Sequence, residues 1–345
     1  MPFASGAVAA IELLSWPGDS PAITVLNGGV TNTMVPPREF LLAGRETDRV
    51  HADGRPTREF RAELRRIPSV RNAASVISVY AQTIAVIWGA VRFGLPGVVL
   101  GLLLMGRAHA QFASLMHEAA HRLLFAHRRT NDLVGRWVLG YPAWTSTDAY
   151  RRVHMAHHRD EFGPDEPDVP LYAGYPISPA SMRRKLTRDA TGRTGLRLIR
   201  QQFGGLRSPN PLVRTTLLKI LGVQAVLAGI AVVAGHWWVY PVLWVVPYLT
   251  VWRVINRLRS IAEHGGMQRS KDRRETTHSV RQRRVARFAI VPYRIGWHLA
   301  HHVDSGIPFR HLPRLHDALL DSGYITEQYE YPTYRALWRA LRRPS

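Results

Sequence analysis

The sequence predicts an all-α integral membrane protein, with four transmembrane helices in two hairpins and a histidine-rich helical cap on the cytoplasmic side. Three observations predict it. Two long stretches are nearly free of charge, 46 basic residues against 25 acidic ones are spread outside those stretches, and clustered histidines follow each of them.

Composition bounds the rest. At 345 residues and 46% hydrophobic content the chain can bury a sizeable core, and general disorder is excluded. There is no cysteine, which excludes disulfides, thiolate-bound zinc and cysteine-held iron–sulfur clusters. Any metal must therefore rest on carboxylates or on the 16 histidines. The net charge of +21 is almost all arginine, since only Lys185, Lys219 and Lys271 are lysine. These basic residues interrupt apolar runs instead of forming one tract, so nucleic acid is not an expected partner. The positive-inside rule accounts for the same distribution.

In chain order, the opening MPFASGAVAAIELLSW lacks a basic n-region and Glu12 breaks its apolar run, so it does not read as a signal peptide. Residues 1–33 are read as an extension upstream of a natural start at Met34, and residues 1–67 as a polar N-terminal arm. Residues 73–91 carry no charge over 19 positions, and residues 93–116 carry only Arg107. Arg92, Gly94 and Pro96 lie at the junction, which predicts a first helical hairpin. Residues 220–252 are uncharged for 33 positions. As one straight helix they would span roughly 50 Å against a hydrocarbon core of about 30 Å, so this run must bend. GHWWVYP at 235–241 supplies the turn, with aromatic residues suited to a membrane interface. Two hairpins place both chain ends and residues 107–219 on one side, and the arginine bias makes that side the cytoplasm. The alternative is a soluble helical protein in which these runs are buried core helices.

The chemistry lies in histidine strings. HEAAH places His117 and His121 four residues apart, on one helical face. HMAHH holds His154, His157 and His158, HLAHH holds His298, His301 and His302, and AEHGG holds His264. HEAAH alone also fits a zinc protease, with Glu118 as its base. That reading leaves the other three segments without a role. A metal transporter would place its ligands near mid-membrane along a pathway, whereas these strings fall at the cytoplasmic ends of the hairpins. Nine imidazoles exceed what one tetrahedral zinc requires and are enough for two ions. Imidazole suits iron, zinc and copper alike, so the ligand type does not choose the metal. His127, His278, His311 and His316 match no ligand spacing and are read as ordinary.

HEAAH, HMAHH and HLAHH, with AEHGG before the last, resemble the three histidine boxes and the additional ligand of the membrane fatty acid desaturase family. The resemblance runs across residues 70–320. It includes YRRVHMAHH around the second box and HLAHHVDSGIPFRHLPRLH around the third. It implies a membrane desaturase domain over residues 68–325, followed by a basic tail at 326–345. It also implies two non-haem iron ions, O2 as co-substrate and a lipid acyl chain as substrate. His117, His121, His154, His157, His158, His264, His298, His301 and His302 become the implied iron ligands. Hydroxylation by the same centre is the alternative outcome: after one hydrogen is abstracted, loss of a second gives an alkene, whereas oxygen transfer gives an alcohol.

An all-histidine shell adds no negative charge, so nearby carboxylates are expected to support it by accepting ring N–H groups. Glu118 is the first choice because its place inside a helix limits where it can point; Asp148, Asp160 and Asp304 are the others. Phe112, Trp144, Trp252 and Ile255 flank the boxes and could line a tunnel for the chain. Arg107 and Arg253 could meet a head group or snorkel to the interface. No dinucleotide fingerprint is present, so electrons are expected from an external donor such as a ferredoxin with its reductase. The stretches RRKLTRDATGRTGLRLIR at 183–200 and RQRRVAR at 281–287 could face such an acidic donor or the phosphates of membrane lipids. The first box has three residues between its histidines where the acyl-CoA branch of the family usually has four, which favours a complex lipid or another carrier.

Overall fold

A computed structural model describes residues 34–164 and 166–342; the stretch read as an upstream extension, 1–33, lies outside them. Among the described residues the fold is helical with no named strand, and β pairing is limited to isolated bridges such as Val280 with Tyr331.

After a short helix α1 (Arg58–Leu64) comes α2 (Ser69–Ala120), a 52-residue helical segment interrupted at Gly94, whose φ of 59° and ψ of −139° are not helical. Glycine tolerates that conformation without a side-chain clash, and Pro96 removes a backbone donor just beyond it. The chain doubles back there. The Tyr80 and Phe112 rings lie 5.2 Å apart, and Arg107 Nη1 donates to Gln82 Oε1 at 2.9 Å. Along one straight helix residues 80 and 112 would be roughly 48 Å apart.

The remaining elements that matter are α3 (Thr147–Arg159), α4 (Pro179–Ala190), α5 (Arg193–Gly204), α6 (Pro211–Val233), α7 (Val251–His264), α8 (His298–Val303), α9 (Leu312–Asp321) and α10 (Tyr334–Ala340). The second apolar run turns at Gly235 (φ 75°), as its sequence predicts. Its return arm, however, is not one spanning helix. A π-helical turn over Tyr240–Val245 and a short helix Val246–Leu249 lead to a break at Thr250, after which α7 begins. Pro241 and Pro247 explain this, because neither can donate to the helical ladder. Polar groups inside the run are satisfied locally. Gln224 donates to the carbonyls of Tyr141 and Pro142 at 2.7 and 2.9 Å and accepts from Tyr240 Oη at 2.9 Å.

Among the described residues two helices, α2 and α6, are long and apolar enough to cross a membrane, where the sequence predicted four crossings. Their most apolar windows are only 11% and 22% buried. Ile84, Trp88, Val226 and Ile230 face outward. A core helix of a soluble protein would hide such side chains, and an exposed apolar belt of this size belongs against lipid. The chain is a membrane protein.

The polar arm and the tail are both tied to the body. Arg274 donates to the carbonyls of Leu41 and Leu42, and Arg61 of α1 and Arg65 just after it grip Asp304 beside the third box. The C-terminal stretch forms α10, which buries Leu337 and Leu341 and donates from Trp338 Nε1 to the Leu258 carbonyl of α7 at 2.9 Å.

Close helix contact locks the site's support. A side chain at Gly106 in α2 would place its Cβ 2.3 Å from Val251 Cγ1 at the start of α7. Gly106→Ala is expected to destabilise the protein by about 1–3 kcal/mol through overpacking. The check is a thermal melt in detergent. An unchanged transition would contradict this contact.

Candidate metal centre

The first box lies at the end of α2, where the chain leaves the helix through Arg122 at a φ of 62°. The second box is on α3, whose N-terminus is capped by Ser146 Oγ accepting from Ala149 N. His264 is the last residue of α7, followed by a turn at Gly266 (φ 75°). The third box makes up most of α8.

These four segments bring all nine predicted histidines together in two adjoining groups. Ring nitrogens of His117, His121, His154, His158 and His301 that could hold a metal ion lie within 4.8 Å of one another. Those of His157, His264 and His302 do so as well. His298 joins the second group, its Nε2 lying 3.1 Å from His264 Nε2 and 3.0 Å from His302 Nε2. The groups touch where the rings of His158 and His302 come within 4.4 Å of each other.

Helical geometry explains the division. Residues i and i+4 are about 40° apart around a helix, while i+3 and i+4 are about 100° apart. In HMAHH the i,i+4 pair His154 and His158 serves the first group and His157 the second. In HLAHH the pair His298 and His302 serves the second group and His301 the first. Each HxxHH string thus feeds both groups.

The nitrogens present a donor set for cations. His302 Nδ1 is 2.6 Å from Glu161 Oε1, His264 Nδ1 is 2.8 Å from the Thr276 carbonyl, and His157 Nδ1 contacts Glu166. Each acceptor places the ring hydrogen on Nδ1 and leaves Nε2 as a bare lone pair. His298 Nε2 lies 3.0–3.1 Å from two of these lone pairs, and its own Nδ1 is buried without a hydrogen-bond partner, so the ring can either donate to one of them or turn its Nε2 lone pair to a shared cation. In the first group both nitrogens of His117 and Nε2 of His121 are buried without a hydrogen-bond partner. Burial, followed by the neighbouring imidazoles, holds His154, His158, His301 and His302 well below the usual histidine range. They are neutral, as ligation requires. The residues present fit a pair of metal ions.

The carboxylates that support the rings are not the ones the sequence nominated. Glu118 accepts from Phe309 N at 2.9 Å and thereby ties down the loop after the third box. Asp148 pairs with Arg136 and Arg151, and exposed Asp160 pairs with Arg269. Asp304 pairs with Arg61 and Arg65. Instead Glu161 and Glu166 meet ring nitrogens, Tyr172 Oη also reaches Glu166, and Glu263 lies 3.6 Å from His298 Nδ1. Their sequence signal is proximity: Glu161 and Glu166 follow the second box within eight residues, and Glu263 immediately precedes His264. Among the ordinary histidines, His127 caps a helix, His278 contacts the Gly265 carbonyl and His316 pairs with Glu330.

Asp304 gives a pH-dependent expectation. Burial alone would raise its pKa, but hydrogen bonds from Arg61, Arg65 and Gly306 hold it below the usual carboxylate range. Its contribution to stability is therefore present above the unfolded-chain value of about 3.9 and is lost as pH falls through the lower folded one. Both arginines are nearly half exposed, so Asp304→Asn is expected to cost about 1 kcal/mol at neutral pH. The gap to the parent should close on acidification in melts across pH. A gap that does not vary with pH would refute the clamp.

A cavity of about 1090 Å³ reaches the centre, bordered there by His154, His157, His264 and His298. Met116, Trp144, Leu217, Ile220 and Trp252 line its apolar part. Arg184, Lys185 and Arg257 lie along its polar part. Of the residues expected to form a tunnel, Trp144 and Trp252 line this cavity. Phe112 instead packs edge-on between Tyr80 and Trp244, and Ile255 is buried in the cluster behind Trp252. Arg253 lies on the cavity wall over the Tyr248 ring, whereas Arg107 is held by Gln82, Gln111 and the Phe288 carbonyl.

The sequence profile described as fatty acid desaturase matches residues 93–338, most of the chain and every box. The chain belongs to the fatty acid desaturase family. One similar member is the dihydrorhizobitoxine desaturase of Bradyrhizobium elkanii, 26% identical over 227 residues. That alignment covers 61% of this chain and 64% of the relative, a little under two thirds of that protein's length.

Proposed function

We propose that this desaturase-family protein introduces a double bond into the acyl chain of a membrane lipid, using O2 and a pair of iron ions held by the nine histidines. The carrying observation is the junction of two adjoining imidazole groups with one amphipathic cavity. Zinc protease chemistry needs one ion with three protein ligands and would leave most of these nine histidines idle. Iron bound by these histidines would activate O2, the oxidant, so that an unactivated C–H bond can be broken. The overall change converts –CH2–CH2–, O2, two electrons and two protons into –CH=CH– and two waters. The electrons come from a separate one-electron carrier, such as a ferredoxin with its reductase.

The chain's own residues account for the remaining requirements. Glu161, Glu166 and the Thr276 carbonyl fix ring tautomers and orientation. Trp144, Ile220 and Trp252 would bind the chain and keep water from the reacting carbons. Four membrane crossings, with the centre on the cytoplasmic face, fit the fold-back at Gly94, the turn at Gly235 and the arginine bias.

The test is mass spectrometry of lipids from a host with and without the protein. A new acyl double bond is expected, a new hydroxyl would favour the hydroxylase alternative, and an unchanged profile would overturn lipid oxidation. Ile220→Trp, which fills the apolar part of the cavity, should lower product from the longest chains at least tenfold while sparing shorter ones. A uniform effect on all chain lengths would take Ile220 out of the binding path.

A further inference from the structure

The arginine-rich stretch 183–200 is not used by the metal centre, and it folds into a distinct feature. Helices α4 and α5 enclose a groove of about 770 Å³ lined by Arg183, Arg184, Arg188, Arg193 and Arg197, with Thr187 between them. Among the described residues no carboxylate lines it. The nearest acid in sequence, Asp189, is fully buried and committed to Arg257 and Thr194. Arg183 and Arg193 make no hydrogen bond or ion pair among the described residues, so at least these two guanidinium groups of the groove carry uncompensated positive charge. Guanidinium groups in such a set match phosphate oxygens.

The outer face of α5 indicates where that phosphate comes from. Arg193, Leu196, Arg200 and Phe203 are all exposed, spaced alternately by three and four residues and therefore on one stripe, and exposed Arg207 follows in the next turn. Leu196 is 44% exposed and Phe203 40%. A stripe that alternates arginine with large apolar side chains suits the boundary between head groups and acyl chains, where the rings and leucines dip inward and the arginines reach outward. The position of α5 agrees. Gly195 sits so close to the Leu249 backbone that a Cβ there would be 2.5 Å from its carbonyl oxygen, which fixes α5 beside the end of the second apolar run. Six residues after α5, α6 begins with Leu212 and Leu218 exposed, and it is one of the two helices able to cross a membrane. An acidic protein partner would account for the arginines but not for the interleaved Leu196 and Phe203.

We propose that the α4–α5 groove binds the phosphate head group of an anionic membrane phospholipid, with α5 lying in the plane of the interface. Arg184 and Arg188 line both this groove and the cavity that reaches the metal centre, so the bound lipid sits at the cavity's edge.

Full-length protein is reconstituted in nanodiscs of phosphatidylcholine doped with phosphatidylglycerol, and retained lipid is counted by native mass spectrometry. Phosphatidylglycerol should be retained over phosphatidylcholine. The double variant R183Q/R193Q should lower that retention about tenfold or more, with an unchanged melt in pure phosphatidylcholine showing that the fold is intact. L196S/F203S should also weaken phosphatidylglycerol retention while leaving the binding of inorganic phosphate unaltered. Equal retention of the two lipids, or retention that R183Q/R193Q does not change, overturns the proposal. So does loss of phosphatidylglycerol to millimolar inorganic phosphate, the behaviour of a free-anion site. Insensitivity to L196S/F203S together with capture of an acidic electron carrier would assign the groove to a protein instead. The readout is binding, so its result is independent of whether the enzyme makes an alkene.

Discussion

His157→Ala is expected to abolish product, by at least a thousandfold, and to lower the iron content from two ions per chain to one or fewer. The ring contributes to the group of four with His264, His298 and His302, and its Nδ1 is held by Glu166. Alanine removes a ligand and also leaves Glu166 buried with only Tyr172 Oη and Phe162 N as partners. Loss of an ion that takes part in the chemistry removes its whole contribution, so the effect should resemble deletion of a catalytic group. Helical circular dichroism should be unaltered, because the apolar contacts of α3 remain. His316→Ala is the control. That histidine is buried against Glu330, away from both groups, so its loss should cost stability and leave iron content unchanged. Full iron and full product in His157→Ala would remove this residue from the ligand set.

Glu161→Gln is expected to weaken binding of one ion tenfold to a hundredfold, in line with other side chains that orient a ligating imidazole. Glu161 Oε1 is 2.6 Å from His302 Nδ1 and accepts from Arg273 Nη1 at 2.5 Å, in a fully buried position. Both contacts fall on Oε1, where glutamine can keep its one oxygen, but the substitution removes the negative charge that the ring N–H and the Arg273 guanidinium face and leaves the amide group at the buried Oε2 position, which has no hydrogen-bond partner. Metal-buffered titration of the purified protein measures the loss, and electron paramagnetic resonance of the reduced protein should show an altered site. Glu161→Ala should be worse still, and Asp160→Asn, which alters an exposed pair with Arg269, should have no effect on metal affinity. Equal iron affinity in all three variants would exclude Glu161 as a support for His302.

The comparison of sequence with structure follows from these two cases. The histidines were legible because helical spacing is a local property: three- and four-residue intervals within HEAAH, HMAHH and HLAHH can be read without knowing where the chain goes. Their convergence was legible only through the number of segments. The supporting carboxylates were not legible, because an acid's partner depends on the path of the loop that carries it. Asp160 and Glu161 are neighbours, yet one points to Arg269 at the surface and the other to His302 in the centre. Glu118 faces Phe309, nearly two hundred positions away in the chain. The first fold-back was marked by Gly94 and Pro96, residues with strong local conformational preferences. The return arm after Gly235 was read by length alone, and the interruptions that Pro241 and Pro247 impose divide it. The N-terminal arm, read as residues 1–67, looked separate because it is polar, but its described part binds the body through carbonyls and arginines, as Leu41, Leu42, Arg61 and Arg65 do.

The sharing of each HxxHH string between the two histidine groups bears on how the paired ions would be spaced. A helix that carries ligands for both is a rigid ruler. On the proposed assignment, rolling α3 or α8 would drag both ions in concert, and the gap between them would be set by the pitch of two short helices. A substitution that twists either helix would then retune both redox partners at once, so neither could drift under selection without its twin.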